Sequence, residues 1–174
     1  MERIGLFYDS DTGTTKRVAK AIKALFDDRE MDAPVSAGAA TAEQVLACRH
    51  LVFGLPTVGV GDMTDGWERL LRLLEDADLS GRTVALFGLG DQLCYGDSYV
   101  DAMGDLADFL TARGAKLVGA WPAAGYECTA SRARRNGCFV GLALDEDNQP
   151  DQTPDRISSW VSIIRPAFGL PLHA

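Results

Sequence analysis

Ile4-Gly5-Leu6-Phe7-Tyr8-Asp9-Ser10-Asp11-Thr12-Gly13-Thr14-Thr15 is the stretch on which the reading of the fold turns. An apolar run breaks into small hydroxyl residues around one glycine. Lys16 to Phe26 then places Val18, Ala19, Ile22, Leu25 and Phe26 on one helical face. A strand that feeds a helix through such a loop leaves backbone N–H groups unpaired at the helix N-terminus. With the hydroxyls of Ser10, Thr12, Thr14 and Thr15 beside them, those groups can wrap a phosphate. Neither GxxxxGK[ST] nor GxGxxG stands here, and a hydroxyl loop without lysine suits a small terminal phosphate monoester such as that of FMN. Taken alone, the residues read equally well as an ordinary turn in which Thr14 or Thr15 caps the helix. The rest of the chain has to decide.

Outward from that stretch, strand and helix patterns alternate. A weak strand near Pro34 to Ala37 precedes a short helix from Thr41 to Cys48, opened by a capping box of Thr41 and Gln44. His50 to Gly54 is a buried-type strand running into Leu55-Pro56-Thr57-Val58-Gly59-Val60-Gly61-Asp62. Trp67, Leu70, Leu71 and Leu74 mark the next helix. Arg82 to Leu89 is a fourth strand, ending in Gly88-Leu89-Gly90-Asp91-Gln92-Leu93-Cys94-Tyr95-Gly96-Asp97. Val100, Met103, Leu106, Ala107 and Leu110 form a helical stripe ended by Gly114, and Lys116 to Ala120 is a fifth strand. Thr153 to Ala167 closes the pattern, with Ile157, Trp160, Val161 and Ile164 inward.

Continuously apolar strands alternating with helices predict an α/β fold: a doubly wound, five-stranded parallel sheet covered on both faces. The expected strand order is 2-1-3-4-5. The loops after strands one, three and four then converge at the carboxyl edge, and those are the three Gly-rich polar stretches quoted above. One region does not fit the count. Tyr126-Glu127-Cys128 to Asn136-Gly137, followed by Phe139-Val140-Gly141-Leu142-Ala143-Leu144, predicts an insertion that splits the fifth strand, with the strand resuming near Phe139.

The chain of 174 residues, 47% hydrophobic and 24% charged, predicts a single globular domain over residues 1–174. Its apolar runs are strand-sized, so no membrane span is expected. Met1-Glu2-Arg3 leads straight into the first strand, so the expectation is no signal peptide and a cytoplasmic location. A net charge of −8 argues against nucleic acid and anionic membranes as partners. Cys48, Cys94, Cys128 and Cys138 show no metal-site spacing and are expected as free thiols. His50 and His173 are isolated, and neither a metal site nor a catalytic set is expected.

Four motifs together carry a family resemblance. They are Ser10-Asp11-Thr12-Gly13-Thr14-Thr15, Pro56-Thr57-Val58-Gly59, Ala85 to Gln92 with Tyr95-Gly96-Asp97, and Phe139 through Asp145-Glu146-Asp147-Asn148-Gln149. On these the chain resembles a flavodoxin of the long-chain type over nearly its full length. The resemblance implies an FMN cofactor, its phosphate held by Ser10 to Thr15, with the loops Pro56–Val60 and Gly90–Asp97 clamping the ring. It places Tyr95 as a stacking residue on the outer flavin face. Val58 stands where many members have tryptophan; an aliphatic residue there is similar to flavodoxins that serve nitrogenase, and the closing Arg165-Pro166-Ala167-Phe168-Gly169-Leu170 also looks like that subgroup. Asp9 stands where many members have glycine, and Thr14 where asparagine is frequent.

The resemblance implies a one-electron carrier between a reductase as donor and a low-potential acceptor enzyme, and one compact acidic domain suggests a monomer. Such a carrier favours the neutral semiquinone and disfavours the anionic hydroquinone. An acidic protein without a cation near the ring does the second, with Asp62, Asp91 and Asp97 as candidate sources of the field. The resemblance further implies a peptide in the second loop that turns over to accept the semiquinone proton, which here would be Gly59–Val60, and glycine tolerates both backbone states. The rival readings are an FMN-dependent NAD(P)H:quinone reductase of the same fold and a flavin-free scaffold. A receiver domain shares the sheet order, but strand three ends in Gly54-Leu55-Pro56 where it would need a phosphoacceptor aspartate.

Overall fold

The computed structural model describes residues 2–172 and places β1 (Ile4–Tyr8) inside a parallel sheet, one strand in from its edge. His173 lies outside those residues. Along the chain, β1 is followed by α1 (Thr14–Lys23), β2 (Val35–Ser36), α2 (Ala42–Leu46), β3 (His50–Pro56) and α3 (Asp65–Leu73). Then come β4 (Thr83–Leu89), α4 (Asp101–Ala112) and β5 (Lys116–Val118). The spatial order is β2-β1-β3-β4-β5, and every pairing on that path is parallel. The expected order 2-1-3-4-5 holds.

Both faces of the sheet are buried, so successive strand residues feed alternate cores. Phe7, Leu51, Phe53, Leu55, Val84 and Leu86 face α3 and α4, where Trp67, Met103 and Leu106 are fully buried. Ile4, Leu6, Tyr8, Val52, Ala85 and Phe87 face α1 and the last helix, α5 (Thr153–Ala167), against Ile22, Trp160 and Ile164. Each buried tryptophan satisfies its indole N–H on the backbone: Trp67 donates to the Gly54 carbonyl at 2.9 Å, Trp160 to that of Gly119 at 2.8 Å. The end of α5 is locked by Arg165, whose guanidinium makes a bidentate pair with Glu30 at 3.0 and 2.8 Å, both groups buried. Removing one partner of such a pair costs about 3–5 kcal/mol, because the other charge is left unpaired in the interior.

The fifth strand is split, as the sequence predicts, but it resumes later. β5 pairs with Thr83–Ala85, and β9 (Leu142–Leu144) takes up the same edge of β4 at Phe87–Leu89. Between them the chain leaves the sheet and forms a small antiparallel one, β6 (Trp121–Pro122), β8 (Cys138–Phe139) and β7 (Arg134–Arg135), in the order β6-β8-β7. Phe139 does not resume strand five because it belongs to that small sheet, paired with Trp121 and Arg134. Its ring meets Tyr99 and Tyr126 edge-on at 5.8 and 5.0 Å. Asn136 and Gly137, both at positive φ, make the two-residue turn between β7 and β8. The four cysteines are free.

Candidate functional site

At the carboxyl edge, the loop after β1 enters α1 through Gly13, the residue just before the helix, at φ 89°. No side chain caps this helix, and its first turn carries no acidic residue. Thr14 and Thr15 are the first two helical residues, so the capping reading of these threonines fails. Ser10 Oγ instead accepts the Gly13 N–H at 2.9 Å, and the Thr12 and Thr14 hydroxyls lie 3.2 Å apart. What remains is a helix N-terminus with unspent backbone donors and hydroxyls around it, an arrangement that binds anions. Asp9 rests against Gly66 in the first turn of α3: a Cβ there would lie 2.3 Å from its Oδ2. A helix N-terminus favours that negative charge.

The loop after β3 is a tight turn. Val58 and Asp62 exchange backbone hydrogen bonds at 2.9 Å each, with Gly59 and Gly61 at positive φ and Val60 at the exposed tip. The loop after β4 is stiffened from inside. Asp91 Oδ1 accepts the backbone N–H groups of Leu93 and Cys94 at 3.1 and 2.9 Å and the Asn148 amide at 2.8 Å. The Cys94 N–H first, then the Asn148 amide, hold the Asp91 carboxyl below its ordinary range.

Behind that loop, Gln92 is a hub. Its backbone N–H and side-chain amide both donate to Asp145 Oδ2, at 3.1 and 2.8 Å, and its side-chain oxygen accepts the Glu127 N–H at 2.6 Å. Asp145 is fully buried and also takes the backbone N–H groups of Asp147 and Asn148. A buried carboxylate is tolerable when it is this fully hydrogen-bonded.

The three loops enclose a cavity of about 310 Å³. Asp11, Thr12, Thr14 and Thr15 line it from the first loop, and Pro56, Thr57 and Val58 from the second. Gly90, Asp91 and Tyr95 line it from the third. Six residues of the predicted site do not line it. Ser10 and Gly13 shape the first loop from behind, and Gly59 lines a small recess beside Tyr95 and Tyr99. Val60 points outward, Gly96 turns its carbonyl to Thr129 and Ala130, and Asp97 is exposed.

Leu89, Glu146 and Asp147 line the cavity without having been predicted. The signal for the last two was topological: they follow β9, which ends at the same edge as β4. The acidic field is correspondingly redrawn. Of Asp62, Asp91 and Asp97 only Asp91 lines the cavity, and Asp11, Glu146 and Asp147 supply the rest. No lysine or arginine lines it among the described residues. A cation does stand close by: Arg132 of the insertion donates to the Gly61 carbonyl at 3.2 Å, behind the second loop. Asp147 has its pKa raised, first by burial and then by the neighbouring carboxylates of Asp91, Asp145 and Glu146.

A roomier hollow of about 410 Å³ lies between α1 and α5, beyond the Arg17–Glu146 ion pair. Val18, Ala21, Leu25 and Ile157 make it a valley between two packed helices, without the converging N–H groups and hydroxyls of the three loops.

The sequence profile of the flavodoxin family matches residues 6–160. A flavodoxin of Picosynechococcus sp. is 45% identical over 98% of this chain and 100% of its own length. One from Klebsiella pneumoniae is 43% identical over 95% of this chain and 98% of its own. Among solved structures, Fusobacterium nucleatum flavodoxin bound to flavin mononucleotide superposes with a TM-score of 0.90 at 32% identity, covering 96% of this chain and 99% of that one. With its sheet order, its three converging loops and these likenesses spanning nearly the whole length, the chain belongs to the flavodoxin family.

Proposed function

We infer that this chain carries single electrons between redox proteins through FMN held at the carboxyl edge of its sheet, and that it is an electron-transfer protein rather than an enzyme. The observation that carries the reading is the uncapped, acid-free N-terminus of α1, framed by the hydroxyls of Thr12, Thr14 and Thr15 and opening into a cavity walled by two further loops. Phosphate fits the first loop and a flat ring the space between Val58 and Tyr95. FMN, when bound, supplies the one-electron chemistry.

The chain's own residues do the rest. Ser10 to Thr15 hold the phosphate, Val58 and Tyr95 exclude water from the ring faces, and Tyr95 adds about 0.5–1.5 kcal/mol by stacking. The carboxylates of Asp11, Asp91 and Asp147 raise the energy of any negative charge placed on the ring, which lowers the potential of the second electron, while the charge of Glu146 is offset by Arg17. Val60, Leu93 and Tyr95 are exposed at the rim, so one ring edge stays open to partners. Docking there is transient and steered by charge, with rates that fall as salt rises.

The partners are a reductase and a low-potential acceptor, and the working form is a cytoplasmic monomer. Val58 supports nitrogenase as that acceptor. The Arg165–Leu170 segment adds little support, because Arg165 is spent on the buried pair with Glu30. Titrating the purified protein with FMN and then reducing it stepwise tests the reading. The expected result is one FMN per chain and two separated one-electron steps. A protein that ignores FMN, or takes up both electrons in one step, overturns it.

A further inference from the structure

The insertion does more than lengthen the chain. Its residue Arg132 is fastened to α4 on two carboxylates: the backbone N–H donates to Asp101 Oδ1 at 2.6 Å, and the guanidinium lies 3.1 Å from Asp101 Oδ2. Nε and Nη2 of the same side chain reach Asp105 at 2.8 Å each. Asp101 is buried, so this anchor is set in the fold rather than loose on the surface. From it, Nη2 also donates to the Gly61 carbonyl at 3.2 Å.

Two glycines are required for this arrangement. Gly104 lies under the insertion, where a Cβ would come within 2.5 Å of the Arg132 carbonyl carbon and 2.7 Å of the Ala133 nitrogen. Gly61, at φ 84°, would push a Cβ to 3.0 Å from Asp101 Oδ2. The Val58–Asp62 turn is thus fixed twice, by its own reciprocal hydrogen bonds and by Arg132 from outside. The peptide between Gly59 and Val60 has no hydrogen-bond partner among the described residues. The same holds of the Val60–Gly61 peptide, so the tip of the turn, next to Thr57 and Val58 of the cavity wall, is the part left free to rotate.

We propose that Arg132 is a positioning residue for electron transfer: the insertion braces the Val58–Asp62 turn through the Gly61 carbonyl and confines its freedom to the two peptides at its tip, Gly59–Val60 and Val60–Gly61. The proposal rests on the reading that this turn flanks the flavin ring. Arginine is needed for its fork, since one guanidinium must serve Asp105, Asp101 and a backbone carbonyl together. Lysine would keep the charge and lose that geometry. A looser turn has to be ordered each time it makes its contact with the ring, so the first electron becomes harder to add.

The test compares wild type, Arg132→Lys and Gly104→Ala by two readouts. The first is amide hydrogen exchange at Val58 and Asp62 in the flavin-free protein, expected to quicken about fivefold in Arg132→Lys, the weight of one hydrogen bond. The second is the pair of one-electron midpoint potentials with FMN. The first step is expected to become less favourable by about fivefold, and the second to move less than twofold. Gly104→Ala, which lifts the insertion while keeping Arg132, is expected to do the same. Unchanged exchange at Val58 and Asp62 overturns the brace. So does full rescue by lysine, or an equal shift of both potentials, either of which would make Arg132 a mere charge. Failure of the wild type to bind FMN would sink the reading of the site, while the exchange readout would still decide the brace.

Discussion

The two ends of the cavity are built by different means. The phosphate end is local: Ser10 to Thr15 are consecutive, and the donors come from the first turn of the helix they enter. The ring end is assembled from a distance. Gln92 reaches Asp145 across 53 positions, and Arg132 reaches Gly61 across 71. Local construction makes the phosphate end independent of the insertion, and the carboxylates after β9 reach it only through charge, as in the Arg17–Glu146 ion pair. The ring end depends on both, so it can be altered by residues that never touch a cofactor.

The change expected to separate the two ends most is Asp145→Ala. It removes the buried acceptor shared by the Gln92 side-chain amide and the backbone N–H groups of Gln92, Asp147 and Asn148, at a cost of about 3 kcal/mol in urea unfolding. The ring-end loop should lose exchange protection at Leu93 and Cys94, while the N–H of Gly13 keeps its own. Loss of protection at Gly13 to the same degree would mean that the two ends are not independent.

Thr12→Val probes the other end. It removes one hydroxyl from the phosphate loop at an exposed position and should leave stability within about 0.5 kcal/mol. FMN affinity should fall about tenfold, roughly 1.4 kcal/mol. Riboflavin, which has no phosphate, should bind the variant as it binds the wild type, as measured by quenching of flavin fluorescence. Equal losses for both ligands would place Thr12 away from the phosphate.

The same division explains what the sequence made legible. The strand order and the capping box of Thr41 and Gln44 depend on apolar periodicity or on neighbours in the chain, and both can be read directly. The hydroxyl loop, by contrast, reads equally well as a capped turn, and only the structure shows the helix to start uncapped at Thr14. Glu146 and Asp147 escaped because their place at the cavity depends on where the split strand resumes. Phe139 looks like that point until the ring contacts with Tyr99 and Tyr126 claim it for the insertion. Arg132 escaped because nothing in Ser131-Arg132-Ala133 announces a carbonyl in another loop. Asp9, an apparent repulsion beside a phosphate, is explained only by its seat on the first turn of α3.

A smaller effect is expected from Tyr95→Leu, which keeps an apolar cover and removes the stack. About 0.5–1.5 kcal/mol should be lost, alike for FMN and riboflavin, because the ring is common to both. Read beside Thr12→Val, this pair of affinities assigns each residue to its end of the cavity.

The smallest effect is a pH dependence at the boundary between the ends. Asp147 has a raised pKa, set by burial first and the carboxylates of Asp91, Asp145 and Glu146 next. A carboxyl raised in the folded state binds its proton more tightly there than in the unfolded chain, so its contribution to stability grows as pH falls through the raised value. Asp91 has the opposite sign: its lowered pKa means a contribution present at neutral pH and lost in acid. Protonating Asp147 also removes one negative charge from a wall of the cavity, so FMN affinity should rise as pH falls through that range. Asp147→Asn fixes the neutral state. It should bind FMN at pH 7 as tightly as the wild type binds it once Asp147 is protonated, and its affinity profile should be flatter on the acid side. The exposure of Asp147 limits the change to a fewfold, and raised salt should shrink it further. If Asp147→Asn left the slope of FMN affinity against pH unchanged, the carboxylates after β9 would have no electrostatic reach to the phosphate, and the division between the two ends would be sharper than the cavity lining implies.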